Sequence, residues 1–157
     1  MRTDVAGLTP VEQTALLTLY AKALASRWPR PILADTRVDE VVARIDYDFT
    51  GLGLVSSVVC QSALRAKMLD DRTREFTRAH PDAVVIDLGA GLDDSMHRVN
   101  PPSTVDWYSV DLPGVSALRA EVLAPAGRAH LVPVSLADES WTEGIPADRP
   151  TFLRADG

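Results

Sequence analysis

Residues 83–91, AVVIDLGAG, constrain the fold more than any other stretch: an apolar run long enough for one buried strand breaks directly into two glycines separated by one residue. A sharp turn at the end of a buried strand is where open α/β sheets bind ligands, just beyond the carboxyl ends of their strands. Glycine permits both the turn and close approach of a ligand to the backbone. Three further short apolar runs follow, at 105–110, 130–134 and 151–155. Between the second and third, residues 113–123 place Val115, Leu118 and Val122 on one helical stripe. Shorter helical turns are expected near 95–99 and 139–143. Strands that alternate with helices predict parallel βαβ units with right-handed crossovers.

The first half of the chain has a different texture. Thr9-Pro10-Val11-Glu12 is a capping box with proline at the first helical position. Ala15, Leu16, Leu19, Ala23 and Leu24 then keep a 3.6-residue face up to Pro29. A short helix is expected over 35–45, a loop over 47–54 and a long helix over 56–79, with Val59, Ala63, Ala66, Leu69 and Phe76 inward. These three helices read as a cap that supplies no sheet of its own.

Composition narrows the function. The 157 residues suit about one domain. No apolar run approaches the roughly 20 residues of a membrane span, and a lone cysteine points to a reducing cytoplasm. The net charge of −6 argues against non-specific nucleic-acid binding. That charge is uneven: residues 1–80 are nearly balanced, whereas 81–157 hold 5 basic and 12 acidic side chains. Such a half repels polyphosphates and tolerates a cationic ligand. The histidines match no metal-ligand spacing, and Cys60 reads as a small core residue.

The glycine loop has a partner further on. Asp111 closes the second strand twenty residues after Gly91, where a carboxylate can accept both hydroxyls of a ribose. It can equally cap the helix that starts at Pro113. A dinucleotide fingerprint calls for a third glycine at position 94, but positions 93 and 94 are both aspartate. Two carboxylates at a helix start compete with a pyrophosphate for its N–H groups. S-adenosylmethionine (SAM), with a ribose, a sulfonium and no phosphate, suits the loop better than NAD. Asp70 and Asp71 read as helix surface, and Trp28, Trp107 and Trp141 as packing residues. Arg154, in a run expected to be buried, reads either as a charge that moderates a sheet edge or as the mark of a sequence no longer held to function.

Taken together, TALLTLYAKAL at 14–24, IDYDF at 45–49, LRAKMLDDRTREFTRAHPDAVVIDLGAGLDD at 64–94, WYSVDLP at 107–113 and SLADESW at 135–141 carry a family resemblance. The chain resembles the leucine carboxyl methyltransferase superfamily, in particular its bacterial tetracenomycin-type polyketide O-methyltransferases. The resemblance implies an α/β fold: a helical cap over 1–80 and, over 81–157, the N-terminal half of a SAM-binding Rossmann-like sheet. That half holds about four parallel strands in the order 3-2-1-4. It implies SAM as cofactor and a small-molecule carboxylate or hydroxyl as methyl acceptor. Arg65, with Lys22 as a second basic group, would meet the methionyl carboxylate. Gly89 and Gly91 would lie under the methionine moiety, Asp111 would hold the ribose, Leu136 would flank the adenine, and Asp156 would sit near the ammonium. The expected chain is a truncated form whose fourth strand is an exposed edge suited to self-association. Two other readings stay open here: a non-catalytic remnant or interaction module that dimerises through that strand, and an NAD-binding oxidoreductase domain.

Overall fold

The structure is a computed structural model that describes residues 2–124 and 126–156. Its centre is a four-stranded, all-parallel sheet of β3 (Val84–Leu88), β4 (Asp106–Asp111), β5 (Arg128–Pro133) and β6 (Thr151–Ala155). The spatial order is β5-β4-β3-β6, which places the first of these strands in the interior beside the fourth. Because every strand runs the same way, Leu88, Asp111, Pro133 and Ala155 all end on one rim, and the loops that follow them meet there.

Side chains alternate between the two faces of a strand. One face carries Ala83, Val85, Val105 and Trp107, covered by Val99 and Met96 of α4 (Ser95–Val99) and by Phe76 of α3 (Ser56–Ala79). The other carries Val84, Ile86 and Val110, with Trp141 and Ile145 of the β5–β6 connection packed on them. A third cluster joins Leu16 and Leu19 of α1 (Thr14–Ser26), Val38 and Val41 of α2 (Val38–Ala43), and Val115, Leu118 and Val122 of α5 (Pro113–Val122). The N-terminal helices therefore share a core with a crossover helix of the sheet layer.

Local chemistry trims the expected helices. The capping box forms: Thr9 N–H donates to Glu12 Oε2 at 2.9 Å, and Glu12 N–H to Thr9 Oγ1 at 3.3 Å. Residues 10–13 make a tighter turn before the regular helix starts at Thr14. Asp35 Oδ1 accepts the N–H groups of Arg37 and Val38, so α2 begins at Val38, three residues later than expected. The N-terminal half does contain a sheet, contrary to the sequence reading. β1 (Thr3–Asp4) pairs in parallel with β2 (Ile45–Asp46). Two-residue strands carry no period that a pattern search could detect. No helix among the described residues is long and apolar enough to cross a membrane.

Candidate functional site

A cavity of about 320 Å³ opens at the carboxyl rim of the sheet, between the ends of β3, β4 and β5 and the start of α1. Its floor is the glycine loop after β3. Gly89 and Gly91 have φ of +62° and +54°, a region that L side chains rarely occupy. A Cβ at Gly89 would meet nothing within 4 Å, so the space above the loop is open to a ligand.

Asp111 stands at the end of β4 and is oriented by two backbone donors. Gly91 N–H donates to Oδ2 and Leu112 N–H to Oδ1, each at 2.7 Å. Each carboxylate oxygen keeps a further lone pair for a ligand hydroxyl. Asp111 does not cap α5, which has no side-chain cap of its own. Glu12 serves that helix end instead, with Oε1 accepting Gly114 N–H at 2.9 Å. Approach this close requires glycine, since a Cβ at 114 would lie 2.4 Å from Glu12 Oε1. Hydrogen bonds from Thr9, reinforced by Gly114 and Val115, hold the Glu12 carboxyl below its ordinary range. Val134, Ser135 and the 46%-exposed Leu136 form the apolar end of the cavity.

Beside it, across the shared residues Thr18, Gly89 and Gly91, lies a smaller space of about 40 Å³ lined by Lys22, Asp87, Asp93 and Asp156. Lys22 is 3% exposed, and its Nζ lies 3.0 Å from Asp156 Oδ2 and 3.1 Å from Asp93 Oδ1. Arg65 Nε donates to Asp156 Oδ1 at 3.2 Å, so Asp156 sits between the two cations. Gly89, Gly91, Asp111 and Leu136 thus line the larger cavity, Lys22, Gly89, Gly91 and Asp156 the smaller one beside it, and Arg65 adjoins the latter through Asp156.

Beneath this end lies a buried ion-pair cluster that the sequence reading missed. Arg98 bonds Asp93 at 2.7 and 2.8 Å, Asp70 at 2.7 Å and Asp35 at 2.9 Å. Arg154 is directly opposite Asp87 in register, 3.4 Å from its Oδ1, and donates to Asp70 Oδ1 at 3.3 Å and Thr73 Oγ1 at 3.2 Å. Its guanidinium also lies 5.5 Å from the Trp107 ring centre. Arg154 is therefore an interior counter-ion, and Asp70 is buried beneath it; neither is an edge or surface charge. Asp71, paired with Lys67 and Arg74, does lie outside.

Asp93 and Asp94 do not compete for helix N–H groups, since α4 has no side-chain cap. Asp93 turns into the ion-pair cluster, and Asp94 lies 3.2 Å from Arg37. Burial raises the Asp93 carboxyl, but Arg98 and Lys22 outweigh it and hold the group well below the ordinary range. Burial pushes Asp70 and Asp87 up, against Arg98 and Arg154 respectively.

A family profile described as leucine carboxyl methyltransferase matches residues 15–156, a span that takes in every one of these groups except those of the Thr9–Glu12 turn. The chain belongs to the leucine carboxyl methyltransferase family. It is 38% identical over 150 residues to the tetracenomycin polyketide synthesis O-methyltransferase TcmP of Streptomyces glaucescens, a match that covers 96% of this chain and 56% of that protein. It is 30% identical over 165 residues to the S-adenosyl-L-methionine-dependent methyltransferase dpfgK of Gibberella zeae, covering 96% and 55%. The chain thus spans about half the length of these relatives.

Proposed function

We propose that the cleft binds SAM and that the chain belongs to a cytoplasmic SAM-dependent O-methyltransferase acting on a carboxylate or hydroxyl of a small molecule. The observation that carries this reading is the pair of complements at the two ends of one cleft. At one end a carboxylate, Asp111, is oriented by the glycine loop and suits a ribose diol. At the other, the cations Lys22 and Arg65 flank the anion Asp156 and suit the carboxylate and ammonium of an amino acid. Leu136 and Val134 offer the adenine an apolar face. The rim acids Asp111, Asp156 and Glu12 would repel a pyrophosphate, which disfavours NAD.

Residues 1–80 would serve as a lid over the sheet half, 81–157, because α1 supplies Thr18 and Lys22 to the cleft. Bound SAM would supply a methyl group on a sulfonium. The chain's own contribution is to bind and align: Lys22 and Arg65 fix the amino-acid end, Asp111 fixes the ribose, and the glycine loop holds the space between. An acceptor carboxylate is already ionised at neutral pH, so alignment and exclusion of water account for most of the catalytic demand. Replacing Asp111 with alanine tests the reading: S-adenosylhomocysteine binding should vanish in calorimetry, and unchanged affinity would remove the ribose contact.

A second reading concerns association. β6 pairs only with β3 among the described residues, and Leu153 on it is 57% exposed. An unpaired, uncharged strand edge is a template for another strand, so β6 of a second copy is the proposed occupant. Sedimentation velocity should show a concentration-dependent dimer that Leu153→Lys disrupts; a monomer throughout would reject it.

A further inference from the structure

The glycine loop that follows β3 is gripped by the next strand and helix of the sheet layer. β4 ends in Asp111, whose Oδ2 accepts Gly91 N–H at 2.7 Å. α5, which starts at Pro113, carries Arg119 in its last turn. Arg119 Nη1 donates to the Gly91 carbonyl at 2.9 Å and to the Asp93 carbonyl at 2.8 Å. The two polar groups of Gly91 are therefore held by different side chains, the N–H by Asp111 and the carbonyl by Arg119. Neither the Gly91 nor the Asp93 carbonyl accepts a backbone N–H among the described residues.

This bonding bears on the loop's shape. Gly91 has a φ of +54° and lies in neither a strand nor a helix. Glycine has little conformational preference of its own, so the peptides on either side of it are oriented by the partners of its N–H and carbonyl. Releasing the carbonyl frees the loop to turn about Gly91 and take its N–H off Asp111. Arg119 is an unusual choice for this task, since it is only 7% exposed and arginine is seldom buried. Burial lowers its guanidinium, and the negative charges of Asp87, Asp93, Asp94 and Asp111 oppose that shift. What the fold gains is a cationic donor, whose bonds to carbonyls are stronger than those of a neutral one.

We infer that Arg119 is a positioning residue of the cleft: through the Gly91 peptide it holds the Asp111 carboxylate in the orientation a ligand meets. Gly91 and Asp111 line the larger cavity, whereas Arg119 does not, so it acts through them. The effect on ligand affinity rests on the reading of this cleft as the cofactor site; the effect on the loop does not.

The test uses the full chain labelled with ¹⁵N. Arg119→Met removes both bonds, and Asp111→Ala supplies the reference for a freed Gly91 N–H. In the unliganded protein, the Gly91 amide proton of R119M should exchange about tenfold faster or more, and its signal should move toward the D111A position. S-adenosylhomocysteine should bind R119M about tenfold more weakly or worse in calorimetry. Val122→Ala, at a buried position of the same helix, controls for general loss of stability: it should lower the urea midpoint and leave both the Gly91 signal and the affinity in place. Should R119M not fold, Arg119→Gln replaces it with the same expectations, because its amide ends short of the Nη1 position. A Gly91 amide that keeps its wild-type signal and exchange rate overturns the proposal. So does an equal response in V122A, a displaced Gly91 with wild-type affinity, or failure of both Arg119 variants to fold, which would assign Arg119 to the fold alone. Absence of heat from the unmodified chain refutes the cofactor reading instead, and the Gly91 amide then decides this proposal.

Discussion

Replacement of Arg154 with methionine takes a cation out of the interior. The side chain is fully buried and serves Asp70, Asp87 and Thr73 at once. Methionine fills much of the volume, but it leaves Asp87 with the Ser95 hydroxyl, which donates at 3.0 Å, as its one side-chain hydrogen-bond partner among the described residues and with Arg119 as the remaining nearby cation. Removing one partner of a buried ion pair costs about 3–5 kcal/mol, because the other charge remains buried and uncompensated. With a urea dependence of about 2 kcal/mol per molar for a chain of this size, the unfolding midpoint should fall by about 1.5–2.5 M.

The pH dependence separates this cause from simple loss of packing. Burial already raises Asp87, and Arg154 opposes that shift. Without Arg154 the folded-state value rises further above the unfolded value of about 3.9. A raised carboxyl opposes folding while ionised, so the penalty is full at high pH and is relieved as pH falls through the raised value. The deficit of R154M should therefore be smaller at pH 5 than at pH 8, and R154M/D87N should recover most of it. Urea melts followed by tryptophan fluorescence measure all three. A deficit below about 1 kcal/mol that does not change with pH would refute the assignment of Arg154 as an interior counter-ion.

Glu12 joins Thr9 to the first turn of α5, so E12A should lower stability by about 1–2 kcal/mol. A change of only a few tenths in urea unfolding would mean that the Gly114 contact is idle. At the opposite edge of the sheet, Arg128, with His130 and Arg149, holds the Asp106 carboxyl well below its ordinary range. A depressed carboxyl contributes stability above its unfolded value, near 3.9, and loses it as pH falls below that point. The stability gap between wild type and D106N should therefore be full at pH 7, begin to narrow below about pH 4 and go on narrowing as pH falls toward the depressed folded value; a gap at pH 2.5 equal to that at pH 7 would contradict this. D111A should abolish S-adenosylhomocysteine binding in calorimetry, and unchanged affinity would remove the proposed ribose contact.

Much of this architecture is legible in the sequence, for reasons that also explain what is not. AVVIDLGAG, the periodic helix over 56–79 and the run at 151–155 each obey one pattern from end to end, and the structure reproduces the long helix and the last strand residue for residue. All four strands end on one rim, so residues at strand ends, Gly89, Gly91, Asp111, Leu136 and Asp156, had to converge. Asp70 and Arg154 escaped because a charge in a binary pattern is read as solvent-facing. The periodicity did contain the signal: Val59, Ala63, Ala66, Asp70, Thr73 and Thr77 form one buried stripe of α3. An aspartate inside an otherwise small, buried stripe requires a cation, and Arg98 and Arg154 supply it. Asp111 illustrates another limit. Its position was readable, but its partner was not, because the helix end it was expected to cap is served by Glu12, about a hundred residues earlier in the chain.

On the proposed function, the cleft accommodates a nucleoside joined to an amino acid rather than a dinucleotide. Calorimetric titration of the unmodified chain with S-adenosylhomocysteine and, separately, with NADH tests it most directly. Saturable heat with S-adenosylhomocysteine and none with NADH is the predicted result. Micromolar binding of NADH with no response to S-adenosylhomocysteine would contradict it.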